Sequence, residues 1–398
     1  MNQSPATRWL ILALCTLIVI VVYTIPALML PVLFAEIAAD LNLDIVQLGI
    51  AWGSISLSSI VVGLFGGAIG DRLGSHRMVA LACLLIGLLG ILRGFAPNYT
   101  LLLVTFMLFG LVAPSLPPNL HKAGAHFFPT QRGVSTSIIS IGFAFALFIG
   151  SRYTATWLSP LVGGWRNVMF LFGGFGILFA AIWFFLVPAS IMPQPSNQER
   201  PFFEAIFSSL RRVLQAREMW IVGLGSTLFW ACFRGFAGYT PLYLRGLGWD
   251  AADADAALST FFLSSMLLAL PLTIWSERIG TRRPFLVVAM LTAGGGILSL
   301  GLGNERWVVV ALVVAGLMFD AFMAIHQAEV LSLDGLGAYA GSALGLLVMF
   351  REVGGFLSPP FGNWLASQFG ASVPFFFWGS MGLLAGAVFL LLPQKSPS

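Results

Sequence analysis

The chain has 398 residues, 58% of them hydrophobic and 9% charged, with a mean hydropathy of +0.92. Soluble domains carry about 25% charged residues, so the composition argues against a soluble enzyme, a nucleic-acid binder and a disordered chain alike. The formal charge of +4 is better assigned to basic loops beside a membrane than to a nucleic-acid partner.

A membrane-spanning helix takes about 20 apolar residues. Apolar runs, broken by polar or Gly/Pro punctuation, predict twelve spans. In the first half they lie at about 9–34, 46–70, 78–96, 99–118, 134–157 and 167–188. In the second half they lie at about 218–244, 257–276, 284–303, 307–329, 339–364 and 372–393. The first run, Trp9 to Phe34 behind Arg8, is too long for a signal-peptide core and reads as a span. The longest polar stretch, Ala189 to Arg217, carries Pro193, Pro195, Glu199, Arg200, Arg211 and Arg212. It reads as a linker at 189–217 between six-helix bundles at 1–188 and 218–398, with Pro201 to Gln215 as a candidate amphipathic surface helix. The predicted fold class is therefore an all-α polytopic membrane protein. Cys15, Cys83 and Cys232 fall inside apolar runs without metal spacing and read as small core residues.

With both termini inside, the cytoplasmic loops receive 13 of the 20 Lys and Arg residues, among them Arg72, Arg77, Lys122, Arg132, Arg278, Arg282 and Arg283. The outer loops receive Arg166, Arg245 and Arg306, while Arg93, Arg152, Arg234 and Arg351 fall within or at the ends of spans. That asymmetry satisfies the positive-inside rule. Glu36, Asp40, Asp44, Asp250, Asp253 and Asp255 are expected in the first and seventh loops, outside.

The halves repeat one another. Gly67, Asp71, Arg72, Gly74, His76 and Arg77 follow the second span, and Thr273, Glu277, Arg278, Gly280, Arg282 and Arg283 follow the eighth at a constant offset. Parallel duplication of this kind is expected of transporters whose site lies between two halves. The chain resembles the major facilitator superfamily over all twelve spans. The resemblance rests on the G-x-x-x-D-[RK]-x-G-x-[RK]-[RK] pattern met by Gly67, Asp71, Arg72, Gly74 and Arg77, on its second copy with Thr273 for the first Gly, and on Gly163-Gly164-Trp165-Arg166 entering helix six. It implies two pseudo-symmetric six-helix bundles and alternating access. It also implies a conformational latch formed by Gly67, Asp71, Arg72, Gly74 and Arg77 with Glu277, Arg278, Gly280 and Arg283. The static alternative is a topogenic positive loop. The antiporter pattern of helix five is incomplete, since Gly142 and Gly150 occur without the proline.

Ionisable groups at membrane depth are costly and are functional candidates by default. Arg234 lies on the seventh helix, which the resemblance places beside a central cavity. Its permanent charge and planar fork suit a carboxylate or phosphate. Arg152, Tyr23, Asn119 and Tyr239 join it as candidate solute contacts; the alternatives are an ion pair for Arg234, external water at its helix end for Arg152 and interfacial anchoring for the two tyrosines. Asp320, Arg351, Glu352 and His326 form a candidate proton-coupling or ion-pair network. Adjacent Arg351 and Glu352 project about 100° apart, so each is expected to find another partner, Asp320 with Arg351 being one option. Pro114, Pro117 and Pro118 are expected to kink the fourth helix.

No phosphate-binding loop, zinc helix or nucleophile elbow occurs, so no enzyme, cofactor or metal is expected. The reading is a secondary active transporter of a small solute, an organic anion by its internal arginines, with a proton as possible coupling partner. It is expected as a monomer in the cell (inner) membrane. The alternatives are a multidrug or hydrophobic-compound exporter and a non-transporting membrane receptor.

Overall fold

The structure, a computed structural model, describes residues 5–128, 131–189, 209–303, 305–333 and 340–393. Among these every regular element is helical, and eleven helices are long and apolar enough to cross a membrane. The twelfth apolar helix, Val373–Phe389, is shorter. In chain order α1 runs through four consecutive segments, Pro5–Leu17, Ile18–Thr24, Ile25–Leu28 and Leu30–Leu41. Then come α2 (Ile45–Leu73), α3 (Ser75–Gly94), α4 (Tyr99–Val112, Ala113–Ser115 and Leu116–Phe127), α5 (Arg132–Tyr153, Thr154–Leu158 and Ser159–Val162) and α6 (Trp165–Leu186). The second half holds α7 (Arg217–Gly246), α8 (Ala251–Ile279), α9 (Arg283–Leu300), α10 (Glu305–Trp307, Val308–Gly316 and Phe319–Leu331), α11 (Ala340–Phe369) and α12 (Val373–Phe389).

Local chemistry explains the boundaries. Asp44 and Gln47 cap α2 reciprocally, with Gln47 N donating to Asp44 Oδ1 at 2.8 Å and Asp44 N to Gln47 Oε1 at 3.0 Å. Asn98 accepts from Leu101 N at 3.0 Å and starts α4. The turns after α2 and α8 use Gly74 (φ 78°) and Gly280 (φ 72°), a region that favours glycine. The prolines predicted to bend α4 do so, because Pro114 sits in a 3₁₀ turn at Ala113–Ser115. At the matching depth α10 breaks between Gly316 and Phe319.

Short turns make successive helices antiparallel. The α1–α2, α5–α6, α7–α8 and α11–α12 turns therefore share one end of the molecule, called the far end here. The two six-helix bundles pack alike. A methyl group at Gly87 of α3 would lie 2.6 Å from the Gly173 carbonyl oxygen of α6, and one at Gly294 of α9 would lie 2.8 Å from that of Gly379 of α12. Gly110 of α4 abuts Ile55 of α2 as Gly316 of α10 abuts Phe261 of α8. Small residues let helix backbones touch where lipid supplies little drive for association.

Between the bundles α2 lies along α11 and α5 along α8. On the α2–α11 seam Gly53 faces Phe356, Gly63 faces Gly345, and Asn363 Nδ2 donates to the Ile45 carbonyl at 2.6 Å. At the far end Leu30–Leu41 packs on α7, and Arg152 Nη1 donates to the Ala252 carbonyl at 3.0 Å.

Two expectations need correction. Glu36 and Asp40, read as loop residues, lie in the last segment of α1, while Asp253 and Asp255 lie in α8. Pairing carries these helices past their apolar cores. Asp40 accepts from Trp165 Nε1 and Arg166 Nε at 3.0 and 2.9 Å, Glu36 from Ser159 Oγ at 2.6 Å, and buried Asp255 from Arg245 Nη2 at 2.9 and 3.0 Å. The stretch 190–208 of the expected linker, which includes most of the candidate surface helix, lies outside the described residues.

Candidate functional site

Three helices bring the mid-span charges together. Trp230 and Arg234 stand one turn apart on α7, Trp52 and Ser56 one turn apart on α2, and Arg351 and Gly355 one turn apart on α11, so each pair shares a helix face. Arg234 is 2% exposed and lies 3.5 Å from the centroid of the Trp52 ring. Its Nη2 donates to the Trp52 carbonyl at 3.1 Å, and Trp52 Nε1 donates to the Arg234 carbonyl at 3.1 Å. The two bundles are thus clasped by a reciprocal arginine–tryptophan contact. Among the described residues no carboxylate comes within ion-pair distance of Arg234.

Arg351 lies 4.4 Å from the centroid of the Trp230 ring, with its side chain 22% exposed. Its Nε and Nη2 donate to Glu352 Oε1 at 3.3 and 3.0 Å. This corrects the expectation that the neighbours would not pair. The angle between adjacent side chains holds at Cβ, but an arginine is long enough to curl along its own helix to the next carboxylate. The half-buried Tyr23 of α1 lies within the electrostatic reach of Arg351, Glu352 and Arg234, with its ring against Phe143 of α5 at 6.4 Å. Glu352 is paired with Arg351 alone, and among the described residues Arg234 has no carboxylate partner.

Asp320 is elsewhere. It lies in the first turn of the third segment of α10, where the helix dipole favours an anion, and accepts from Ser265 Oγ of α8 at 2.6 Å while its own N–H donates back at 2.8 Å. The suggested Asp320–Arg351 pair is not formed. His326 is buried, with Nε2 2.6 Å from Ser226 Oγ and its ring stacked on Phe322 at 5.0 Å. Aromatic rings wall this side, with Phe229 and Phe322 4.3 Å apart and Phe233 and Phe319 4.4 Å apart.

Tyr239, Asn119 and Arg152 do not join the charged group. The Tyr239 hydroxyl donates to the Ala371 carbonyl at 3.0 Å and the ring packs on Trp378 and Phe375. Asn119 Nδ2 donates to the Ser115 carbonyl at 2.8 Å inside α4. Arg152 serves the far-end contact with Ala252. Beyond Arg234, toward the far end, an apolar crevice is lined by Leu28, Met29, Pro31, Val32, Trp52 and Phe233 and closes that side.

Of the expected latch, Gly67 and Asp71 belong to α2, with their side chains outside the described residues. Gly74 and Gly280 make the two tight turns, and Arg72, Arg77, Glu277 and Arg278 are exposed. Arg283 begins α9, half-buried. In the second loop the anchoring residue is Arg282, which donates to Ser332 Oγ at 2.8 Å and pairs with Glu329 at 3.4 Å. Sequence reasoning singled out neither Trp52 nor Trp230. A signal was present, since tryptophans favour the headgroup level, whereas Trp230 lies mid-span one turn from an arginine.

Two helical bundles clasped around a buried charged group have the architecture of a polytopic membrane transporter. The model of the Major Facilitator Superfamily matches residues 12–258 and 244–398, and the chain belongs to that family. It is similar to the probable galactarate/D-glucarate transporter GudP of Escherichia coli (strain K12), at 25% identity over 82% of this chain and 80% of that one. It is also similar to the probable sulfoacetate transporter SauU of Cupriavidus necator, at 23% identity over 96% and 93%. In fold it matches a bacterial homolog of the human lysosomal transporter Spinster, solved in an inward-facing and unoccupied conformation. The TM-score is 0.78 at 16% identity, and each chain is covered fully.

Proposed function

We infer that this protein carries a small organic anion across the membrane, with Arg351 as the contact of the anionic group. The observation that carries the reading is the charge imbalance at the midplane. Among the described residues Glu352 is paired with Arg351 and no carboxylate pairs with Arg234, leaving one positive charge in excess where charge is costly. An anionic solute balances it. The side chain of Arg351, 22% exposed, is the accessible one of the two guanidiniums, and the Trp230 ring beneath it fixes the plane of its fork. The relatives named as transporters of organic acids support the same reading.

Glu352 is the coupling group in this account. A proton on Glu352 frees Arg351 from its neighbour and raises the positive charge of the site, so anion binding and protonation reinforce each other. The groups facing Glu352 are Arg351 on its own helix, Arg234 from α7 and Tyr23 from α1, with His326 of α10 within the field of Arg351. The basic loops at the end holding the termini support a cytoplasmic location for both termini, in the inner membrane. The bundles divide near 188 and 218, and one chain contains the whole path, so the working unit is a monomer.

Uptake of radiolabelled galactarate, sulfoacetate and muconate into proteoliposomes tests the function. Wild-type protein takes up at least one of them, and Arg351→Gln reduces that uptake by about tenfold or more, the cost of one charge-assisted hydrogen bond. Unchanged uptake by Arg351→Gln would remove Arg351 from the site.

A further inference from the structure

Behind the Arg351 layer lies a second polar group that no ion pair or hydrogen bond explains. Trp230 Nε1 (residue 7% exposed), Ser56 Oγ (0%) and Arg234 Nε (2%) are buried on the seam of α2, α7 and α11 with no protein partner. Buried polar atoms are satisfied in the great majority of cases, so three on one seam mark a position built for something else. They belong together. A methyl group at Gly355 would lie 2.5 Å from Ser56 Oγ and 3.0 Å from Trp230 Nε1, so these two atoms flank the bare backbone of Gly355. Arg234 follows one turn up α7 from Trp230.

The chemistry of the group selects its ligand. Indole and guanidinium N–H groups donate and cannot accept, and a serine hydroxyl can do either. The ligand must therefore be an acceptor, and the unmatched charge of Arg234 makes it an anionic one. We propose that Ser56, Trp230 and Arg234 form a second head-group subsite that takes the far carboxylate of a two-headed organic anion whose near carboxylate sits on Arg351. Trp230 ties the two places together, its ring 4.4 Å from the Arg351 guanidinium and its N–H in the second group, so both heads can belong to one short anion. In the present conformation the Trp52–Arg234 clasp covers the subsite, and release of the Trp52 ring from Arg234 exposes it. The inference rests on the organic-anion reading given above.

The test compares, in proteoliposomes, each dicarboxylate with the monocarboxylate of the same chain length: galactarate with galactonate, and succinate with butyrate. Wild-type protein is expected to take up one dicarboxylate with a KM about tenfold below that of its partner, a charge-assisted bond being worth that factor. Trp230→Phe keeps a ring under Arg351 and removes the N–H, and Ser56→Ala removes the hydroxyl. Each is expected to raise the dicarboxylate KM toward that of the monocarboxylate; with Ser56→Ala the monocarboxylate KM stays put, so monocarboxylate uptake by that variant also reports folding. Gly355→Ala, which fills the space between the two donors, is expected to act likewise. If Trp230→Phe fails to fold, Ser56→Ala decides. A preference that survives both substitutions, or a wild type indifferent to the second head, would overturn the subsite and leave anion transport standing. A wild type that takes up no organic acid would overturn the functional reading, and the subsite with it.

Discussion

Trp52→Phe isolates the clasp between the bundles. The substitution keeps a ring in place, including its contact with Phe34 at 5.9 Å, and leaves the bond from Arg234 Nη2 to the residue-52 carbonyl untouched. It removes the bond from Trp52 Nε1 to the Arg234 carbonyl, worth about 1 kcal/mol net. It also exchanges an indole face for a weaker phenyl face under a desolvated guanidinium, about 0.5 kcal/mol more. The sum of about 1.5 kcal/mol shifts the closed-to-open ratio at the far end by roughly tenfold. Spin labels at Leu161 and at Asp250, both exposed and on opposite bundles at the far end, report that ratio as a distance distribution in nanodiscs. The native cysteines are buried and compete little for label. The substitution should enlarge the long-distance population by about tenfold. An unchanged distribution would show that the clasp does not hold the far end shut.

Three further outcomes follow from the same geometry. Glu352→Gln should abolish the stimulation of anion uptake by an imposed inward proton gradient, because the amide cannot exchange a proton; retained stimulation would assign coupling elsewhere, with Asp320 the next group to test. Asp255→Asn leaves Arg245 beside a neutral amide in a buried place and should cost roughly 3 kcal/mol, read as a lower melting temperature in detergent; an unshifted melt would contradict the pair's structural role. Gly382→Ala puts a methyl group 2.7 Å from the Gly294 Cα, a backbone atom that cannot swing aside. It should destabilise by about 1–3 kcal/mol, and melting at the wild-type temperature would refute the close crossing.

The bundle was legible in the sequence because lipid demands long apolar runs, and the repeat was legible because Gly74 and Gly280 mark the same turn in each half. Helix ends were less so. Hydropathy stops α1 near Phe34, but Glu36 and Asp40 continue the helix to Leu41 because Ser159, Trp165 and Arg166 satisfy them, and such partners are invisible to a window of local hydropathy. The charged group was half visible. Arg234, Arg351, Glu352 and Tyr23 could be named from depth alone, yet their order of accessibility could not. That order depends on Trp52, a residue from the other bundle, which covers Arg234 and leaves Arg351 the more open. Tyr239 shows the opposite error, since a hydroxyl inside an apolar span looks like a solute contact until a backbone carbonyl, that of Ala371 in the far-end α11–α12 turn, is found beside it. Arg93 had no assigned role, and the structure gives it a packing one. It is buried with its guanidinium 4.4 and 4.8 Å from the Phe106 and Phe109 ring centroids.

The central claim is that an excess positive charge at the midplane, two guanidiniums against one paired carboxylate, binds an organic anion through Arg351 and lets it cross. Tracer counterflow tests this without any imposed gradient. Liposomes holding the protein are loaded with unlabelled galactarate, sulfoacetate or muconate and diluted into a trace of the same labelled compound. The account predicts a transient overshoot of label for at least one of these acids with the wild type, and its loss with Arg351→Gln. An overshoot of equal size with Arg351→Gln, or none with the wild type for any of the three, would contradict it.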